Sequence, residues 1–265
     1  MTGMLAESID DLDLEKLEVE APKVHPKNAM NNLTAKEWIP ETVSVWTQKG
    51  LGAKHPDTAI ERQHPAPFSF TDVGRLIRFF TKEGETVLDP FLGIGSTLKA
   101  CAIDRRKGIG IELNKKYADL SKERINSEVG DLLSNASEQI VHHGDSRKIL
   151  SKLPENSVDF VVTSPPYWNI LHKEDHKAKQ ERISKNLDTK YSEDDPNDLG
   201  NIHDYKLFLS ELCSILEKCG RVLKPKKYMS IIVSDFRNKS KFVMFHSDLA
   251  TALEEKGFEL RGCKI

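Results

Sequence analysis

What most restricts the fold of this chain is a rhythm. From about residue 85 onward, short apolar runs alternate with longer segments of helical period. "ETVLDPF" (85–91), "KGIGIEL" (107–113), "QIVHHGD" (139–145), "VDFVVTS" (158–164) and "YMSIIVSDF" (228–236) read as strands. The segment after "GIGS", "KKYADLSKERINSEV" (115–129), "YKLFLSELCSILEKCG" (205–220) and "HSDLATALEEKG" (246–257) read as helices, the last two closed by glycine. "FELRGCKI" (258–265) has the pattern of another strand beginning. Strands that alternate with helices of this length form a mostly parallel sheet with helices on both faces. The expected fold class is α/β, with one domain over residues 31–265.

Ahead of that rhythm, residues 1–30 are rich in Asp, Glu and Lys without an apolar period, the pattern of a flexible acidic tail. Residues 37–47, with Trp38, Ile39, Val43, Val45 and Trp46, are expected to form an extended piece that docks on the domain. Residues 50–70 read as a Gly/Pro/His-rich loop. "TDVGRLIRFFT" has a helical apolar face with Thr71 as its expected N-cap. The polar stretch 168–204 is long enough to be a functional loop.

A formal net charge of -2, with 38% hydrophobic and 30% charged residues, lacks the basic excess of a protein that grips nucleic acid mainly through phosphates, so such a partner would have to meet a local patch. No apolar run approaches a membrane span, and no secretory segment stands at the N-terminus. Cys101, Cys213, Cys219 and Cys263 lack metal-ligand spacing, so reduced thiols in a cytoplasm and no structural metal are expected.

"VLDPFLGIGSTLKA" places Asp89 at a strand end, then Gly93 and Gly95, then a helix start. Glycines there let the backbone turn tightly and approach a ligand, while the helix N-terminus offers free N–H groups. A plain strand-to-helix turn has the same look. A dinucleotide is disfavoured, because Leu98 stands where its fingerprint needs a third glycine and Asp89 would repel a pyrophosphate. Glu112 closes the second strand, where an acid typically accepts ribose hydroxyls, and Asp145 closes the third, where it could accept from an adenine amine. Each acid alone could be a solvated strand end or a helix cap. Three successive strands ending in carboxylates beside a glycine turn converge where open α/β sheets bind ligands.

The fourth strand ends in "TSPPYW", a proline-stiffened corner with two aromatics. A Ser hydroxyl and a proline carbonyl there can accept the hydrogens of a ring-bound amine, and Tyr167, with Trp168, can stack on the ring. A turn that merely covers the sheet edge is the plainer alternative. Together "DPFLGIGST", "GIELN", "HGDS" and "TSPPYW" resemble the amino-methyltransferases of DNA, which modify N4 of cytosine or N6 of adenine using S-adenosylmethionine.

That resemblance, spanning roughly residues 37–265, implies a Rossmann-like methyltransferase sheet and S-adenosylmethionine as cofactor. It implies cofactor contacts from Asp89, Pro90, Phe91, Gly93, Gly95, Ser96, Thr97, Glu112, Leu113, Asp145 and Ser146. It implies a target-base pocket of Ser164, Pro165, Pro166 and Tyr167. Upstream, "IPETVSVWTQKG" and "KHPDTAIERQHPAPFSFTDVGRLIRFF" resemble the segment that precedes the glycine turn in members carrying their catalytic half first and lies along the cofactor's methionine end, making His64, Pro65, Pro67 and Phe68 candidate contacts. Trp168 and Asp235, in "VSDFRN", are further base-pocket candidates. Double-stranded DNA is the expected partner, with the target base flipped out, in a prokaryotic or phage cytoplasm as part of restriction–modification. Ser164 favours N4 of cytosine over N6 of adenine. Carbon-5 methylation is disfavoured because no cysteine follows a proline. Methylation of RNA or a protein amide, and a non-catalytic cofactor-binding subunit of a split enzyme, are the alternatives. The closing hairpin of the family's sheet looks incomplete at "GCKI", which leaves room for truncation, for residues 37–47, or for a homodimer partner or second polypeptide to complete the sheet. Within the long loop, "HKEDHKAKQERISKNLDTK" is a candidate DNA-facing segment and "DDPNDLGNI" a candidate cap of the active site.

Overall fold

The computed structural model describes residues 23–48, 51–52, 54–64, 68–129, 138–168, 177–184, 192 and 195–265. Pro65, Pro67, most of the tail and much of the stretch 168–204 lie outside the described residues.

The chain enters through α1 (Ala35–Glu41), α2 (Asp57–Glu61) and α3 (Phe70–Phe80). Thr34 and Glu37 form a reciprocal capping box at the start of α1. This helix occupies part of the segment expected to be extended, and α2 lies within the expected loop. Ser69, not Thr71, caps α3: its hydroxyl accepts from the Thr71 amide at 3.3 Å. The alternation then follows: β1 (Thr86–Asp89), α4 (Ser96–Ile103), β2 (Lys107–Glu112), α5 (Lys115–Val129), β3 (Gln139–His143), α6 (Ser146–Leu150) and β4 (Val158–Thr163). After α7 (Lys177–Ser184) come α8 (Tyr205–Val222) and β5 (Leu223–Ile231). A hairpin of β6 (Phe236–Asn238) and β7 (Lys241–Val243) precedes α9 (Phe245–Glu254).

The main sheet has the order β3-β2-β1-β4-β5, with every pair parallel. Strand alternation sends Leu88 and Val161 into a core with α8 and α9, while Val87, Phe160 and Val162 join α3 and α4 on the other face. The expected α/β sheet covered on both faces is the one observed. The chain runs outward from β1 through β2 to β3, then returns to place β4 on the other side of β1. The order therefore reverses between β1 and β4, where a crevice opens at the carboxyl ends of the strands.

Three sequence expectations change at the C-terminal side. The fifth strand covers Leu223–Ile231 instead of 228–236: α8 runs past Gly220 to Val222 and leads into the strand without a loop. That glycine ends no helix: a β-carbon on it would lie 2.7 Å from Cζ of Phe258, so it makes room for that ring. Residues 258–265 form no strand of the sheet. Ile265 instead exchanges backbone hydrogen bonds with Ser44 and Trp46, at 2.8 and 2.7 Å, and Leu260 and Ile265 are exposed. Neither segment pairs with the outer edge of β5.

Candidate active site

Both strands at the reversal end in tight corners. After β1, Gly93 and Gly95 take left-handed φ values of 58° and 84°, and Gly95 is the N-cap of α4. A β-carbon at Gly95 would stand 3.1 Å from that of Ser121, a tight contact added to a φ that already disfavours any side chain. After β4 the chain turns through Ser164, Pro165 and Pro166. Between the corners lies Asp89, 4% exposed. Its Oδ1 accepts from Thr163 Oγ1 at 2.6 Å and from the Phe91 amide at 3.0 Å, and its Oδ2 accepts from Thr97 Oγ1 at 2.6 Å. Burial pushes its carboxyl above the usual range, against those three donors.

A cleft of about 670 Å³ opens here, adjoined by a smaller cavity of about 420 Å³. His64, Phe91, Gly93 and Ser164 line both. The larger also takes Pro90, Glu112, Leu113, Asp145, Ser146, Pro165 and Pro166, and the smaller Asp89, Ser96, Thr97 and Phe68. Residues proposed for the cofactor and residues proposed for the base thus share one opening. Gly95 lines neither cavity and shapes the turn instead.

Glu112 ties the glycine turn to β2. Its Oε2 accepts from the Gly93 amide at 2.7 Å and its Oε1 from the Asn114 amide at 2.8 Å. Each oxygen keeps a lone pair for a further donor. Burial pushes its carboxyl up to about 7, the two amides and the nearby Asp89 and Asp198 being smaller influences. Asp145 is both a strand-end acid and a cap, accepting from the Arg147 amide at the start of α6, a helix the sequence reading did not include. Arg147 Nε reaches both Asp145 oxygens at 3.0 and 3.1 Å. Its Nη1 meets Glu211 of α8 at 2.9 Å, and its Nη2 donates to the Asn197 carbonyl at 2.9 Å. Asn197, Asp198 and Leu199 line the cleft, so this guanidinium holds a wall of it in place. Asp198 shapes that wall by accepting from the amides of Ser192 and Gly200. These residues fall within "DDPNDLGNI", expected as a cap.

His64 reaches the cleft because α2 is anchored beneath it by buried charge. Arg124 of α5, fully buried, donates to Asp57 at 2.8 Å, Glu128 at 3.1 Å and Ser96 Oγ at 3.1 Å, and Lys99 also pairs with Asp57 and Glu128. The His64 ring packs edge-on against Tyr117 at 4.8 Å.

Two of the proposed base contacts are placed elsewhere. Trp168 packs on Tyr205 and Phe236, with ring centroids 5.1 and 5.6 Å away, which takes its face out of the cleft. Asp235 pairs with His246 at 2.7 Å and lines neither cavity. Tyr167 is half-buried beside the corner and also lines neither. Thr163, Ile232, Ile215, Arg147 and Asn197–Leu199 were not singled out individually as site residues in the sequence. The only signal for any of them was "DDPNDLGNI", read as a candidate cap of the active site.

Residues 10–123 match the family model described as DNA methylase, a stretch that ends before β4 and its corner. The chain is 31% identical over 110 residues to the orphan methyltransferase M.BamHII of Bacillus amyloliquefaciens, covering 42% of this chain and 39% of that protein. It is 30% identical over 132 residues to the type II methyltransferase M.HpaI of Haemophilus parainfluenzae, covering 49% and 38%. The chain thus spans about two fifths of these relatives' lengths. Among solved structures it is similar to a SAM dependent methyltransferase from Aquifex aeolicus, at 24% identity and TM-score 0.38, covering 66% of this chain and 73% of that one. Residues 10–123, which carry the glycine turn and Glu112, are thus similar to the DNA methylase family.

Proposed function

We propose that this cleft binds S-adenosylmethionine and that the chain transfers its methyl group to an exocyclic amine of a DNA base, N4 of cytosine in preference to N6 of adenine. The observation that carries this reading is the shared lining. Ser164, at the corner after β4, faces the same two cavities as Phe91 and Gly93 of the glycine turn.

The donor set fits the cofactor. Glu112 offers two carboxylate oxygens to a ribose diol, and Asp145, fixed by Arg147, can accept from an adenine amine. Pro90, Phe91, Leu113 and Ile215 would supply apolar wall for the adenine ring, and His64, which lines both cavities, would meet the methionine portion. When bound, the cofactor supplies an electrophilic methyl group on a sulfonium centre.

The chain's own task concerns the acceptor amine, whose lone pair is delocalised into the base ring and is a poor nucleophile. Ser164 Oγ and the Pro165 carbonyl accept its two hydrogens, which favours tetrahedral nitrogen and aims the lone pair into the cleft. Two prolines fix the corner, and neither presents an N–H that would compete for the carbonyl. A base paired in a duplex cannot reach this depth, so the nucleotide is flipped out; Tyr167, beside the corner but outside both cavity linings, would have to turn towards the base to stack on it. We place the reaction in a cytoplasm, in keeping with four free cysteines.

The test is transfer of tritiated methyl to duplex DNA, followed by mass spectrometry of the nucleosides. N4-methylcytosine is expected. N6-methyladenine would correct the base and keep the chemistry, whereas label only in RNA or protein, or cofactor binding with no transfer, would overturn the reading.

A further inference from the structure

Beyond the cleft, the hairpin β6–β7 combines exposed cations with exposed apolar side chains. Between Asp235 and Asp248 the chain has no acid, but it has Arg237, Lys239 and Lys241. The two flanking acids are engaged, Asp235 by His246 at 2.7 Å and Asp248 by the Tyr205 hydroxyl at 2.8 Å. The register sets the two faces of the ribbon. Phe236 pairs with Val243, and both pack on the core, while the next pair, Arg237 and Phe242, points outward with the guanidinium 5.7 Å from the ring centroid. Phe242 and Met244 are 52% and 51% exposed, and Lys239 and Lys241 are exposed and make no ion pair among the described residues. At the turn, Lys239 adopts a left-handed φ of 54°, where glycine or asparagine would be the unstrained choice.

The position of the ribbon matters as much as its charge. Ile232 donates its amide to the Thr163 carbonyl at 2.8 Å and lines the smaller cavity. The ribbon begins at Phe236, four residues on, within about 14 Å of chain. Phe236 also touches Trp168, the residue after Tyr167. A basic, aromatic-bearing ribbon therefore projects beside the acceptor corner of a protein whose net charge is -2.

We propose that the β6–β7 hairpin is a DNA-docking element: Lys239, Lys241 and Arg237 meet backbone phosphates flanking the target nucleotide, and Phe242 and Met244 supply apolar contact to the opened strand. A two-stranded ribbon is narrow enough for a DNA groove, and cations with an exposed ring suit a polyanion with stacked bases. The proposal rests on the DNA reading above and adds where the DNA sits.

The experiment measures duplex binding by the full chain against salt concentration, for the wild type, Lys239→Ala/Lys241→Ala and Lys239→Arg/Lys241→Arg. The alanine pair should bind at least about tenfold more weakly, with a log–log salt slope shallower by about 2. The arginine pair should restore both, and cofactor affinity by calorimetry should be unchanged throughout. Wild-type affinity and slope in the alanine pair, with DNA binding otherwise intact, would overturn the hairpin assignment and leave the methyltransferase reading standing. Absence of DNA binding by the wild type, with cofactor still bound, would overturn both.

Discussion

Thr163 Oγ1 donates to Asp89 Oδ1 at 2.6 Å, and this bond joins the two corners between which the cleft opens. Asp89 closes β1 and leads into the glycine turn, while Thr163 closes β4 and is followed directly by Ser164. Parallel pairing of β1 with β4 brings the strand ends together, and the buried bond sets their spacing. Asp89 is among the expected cofactor contacts, yet both its oxygens already hold protein hydroxyls, so its first task is to fix the site.

Thr163→Val removes a donor from a buried carboxylate while keeping the side chain's shape. The expected loss is about 1–3 kcal/mol of stability, read by urea denaturation. Methyl transfer should fall through kcat more than through cofactor affinity, because Ser164 moves, and Thr163→Ser should recover most of both. A Thr163→Val variant as stable and active as the wild type would show that the bond does not organise the site.

Ser164→Ala is expected to abolish methyl transfer while leaving cofactor affinity within about threefold, because the proposed function puts the hydroxyl on the acceptor amine. Calorimetry with S-adenosylmethionine alongside a transfer assay separates the two effects. Lost cofactor binding would reassign Ser164 to the cofactor's half of the cleft.

Glu112 gives the site a pH dependence. Burial raises its carboxyl from an ordinary 4.5 to about 7 in the free protein. The raised value means that the folded chain holds this proton more tightly than the unfolded chain. Its stabilising contribution is complete below about 4.5 and is lost as pH rises through about 7. Ribose hydroxyls bind the ionised carboxylate better, so cofactor affinity should rise across the same window, with proton release on binding below about 7. Calorimetry in buffers of different ionisation enthalpy measures that release. Glu112→Gln should bind weakly with a flat profile, and a wild-type profile flat from about pH 6 to 8 would contradict the assignment.

Arg147→Ala should weaken cofactor binding about tenfold, or ~1.4 kcal/mol, by freeing Asp145 and the Asn197–Leu199 wall together. The loss should shrink for a cofactor analogue that lacks the adenine amine, since Asp145 then has nothing to accept. An equal loss for both ligands would assign Arg147 to the wall alone.

Much of this protein was legible in its sequence, because the informative features are local. Period and length identified the strands that became β1 to β4, and the glycines of "GIGS" identified a turn that only small residues enter. Strand ends placed Glu112 and Asp145 at the carboxyl edge of a parallel sheet wherever the strands lay in it. Errors gathered where a local pattern had two outcomes. "VSDFRN" continues an extended run, yet the chain leaves the sheet after Ile231 and folds back as a hairpin, which moves Asp235 to His246. Trp168 reads as a stacking surface until Tyr205 and Phe236 arrive to cover it.

What only the tertiary structure decided are the partners of buried and half-buried charge. Asp89 bonds across 74 residues to Thr163, Arg147 across 64 to Glu211, and Arg124 across 67 to Asp57. Bonds over such separations leave no period in the sequence, because either partner could satisfy its polar atoms elsewhere until packing excludes water. The sequence determined that carboxylates, glycines and a proline corner would gather at one edge of the sheet. Strand order and burial decided which of them hold the cleft open and which face into it.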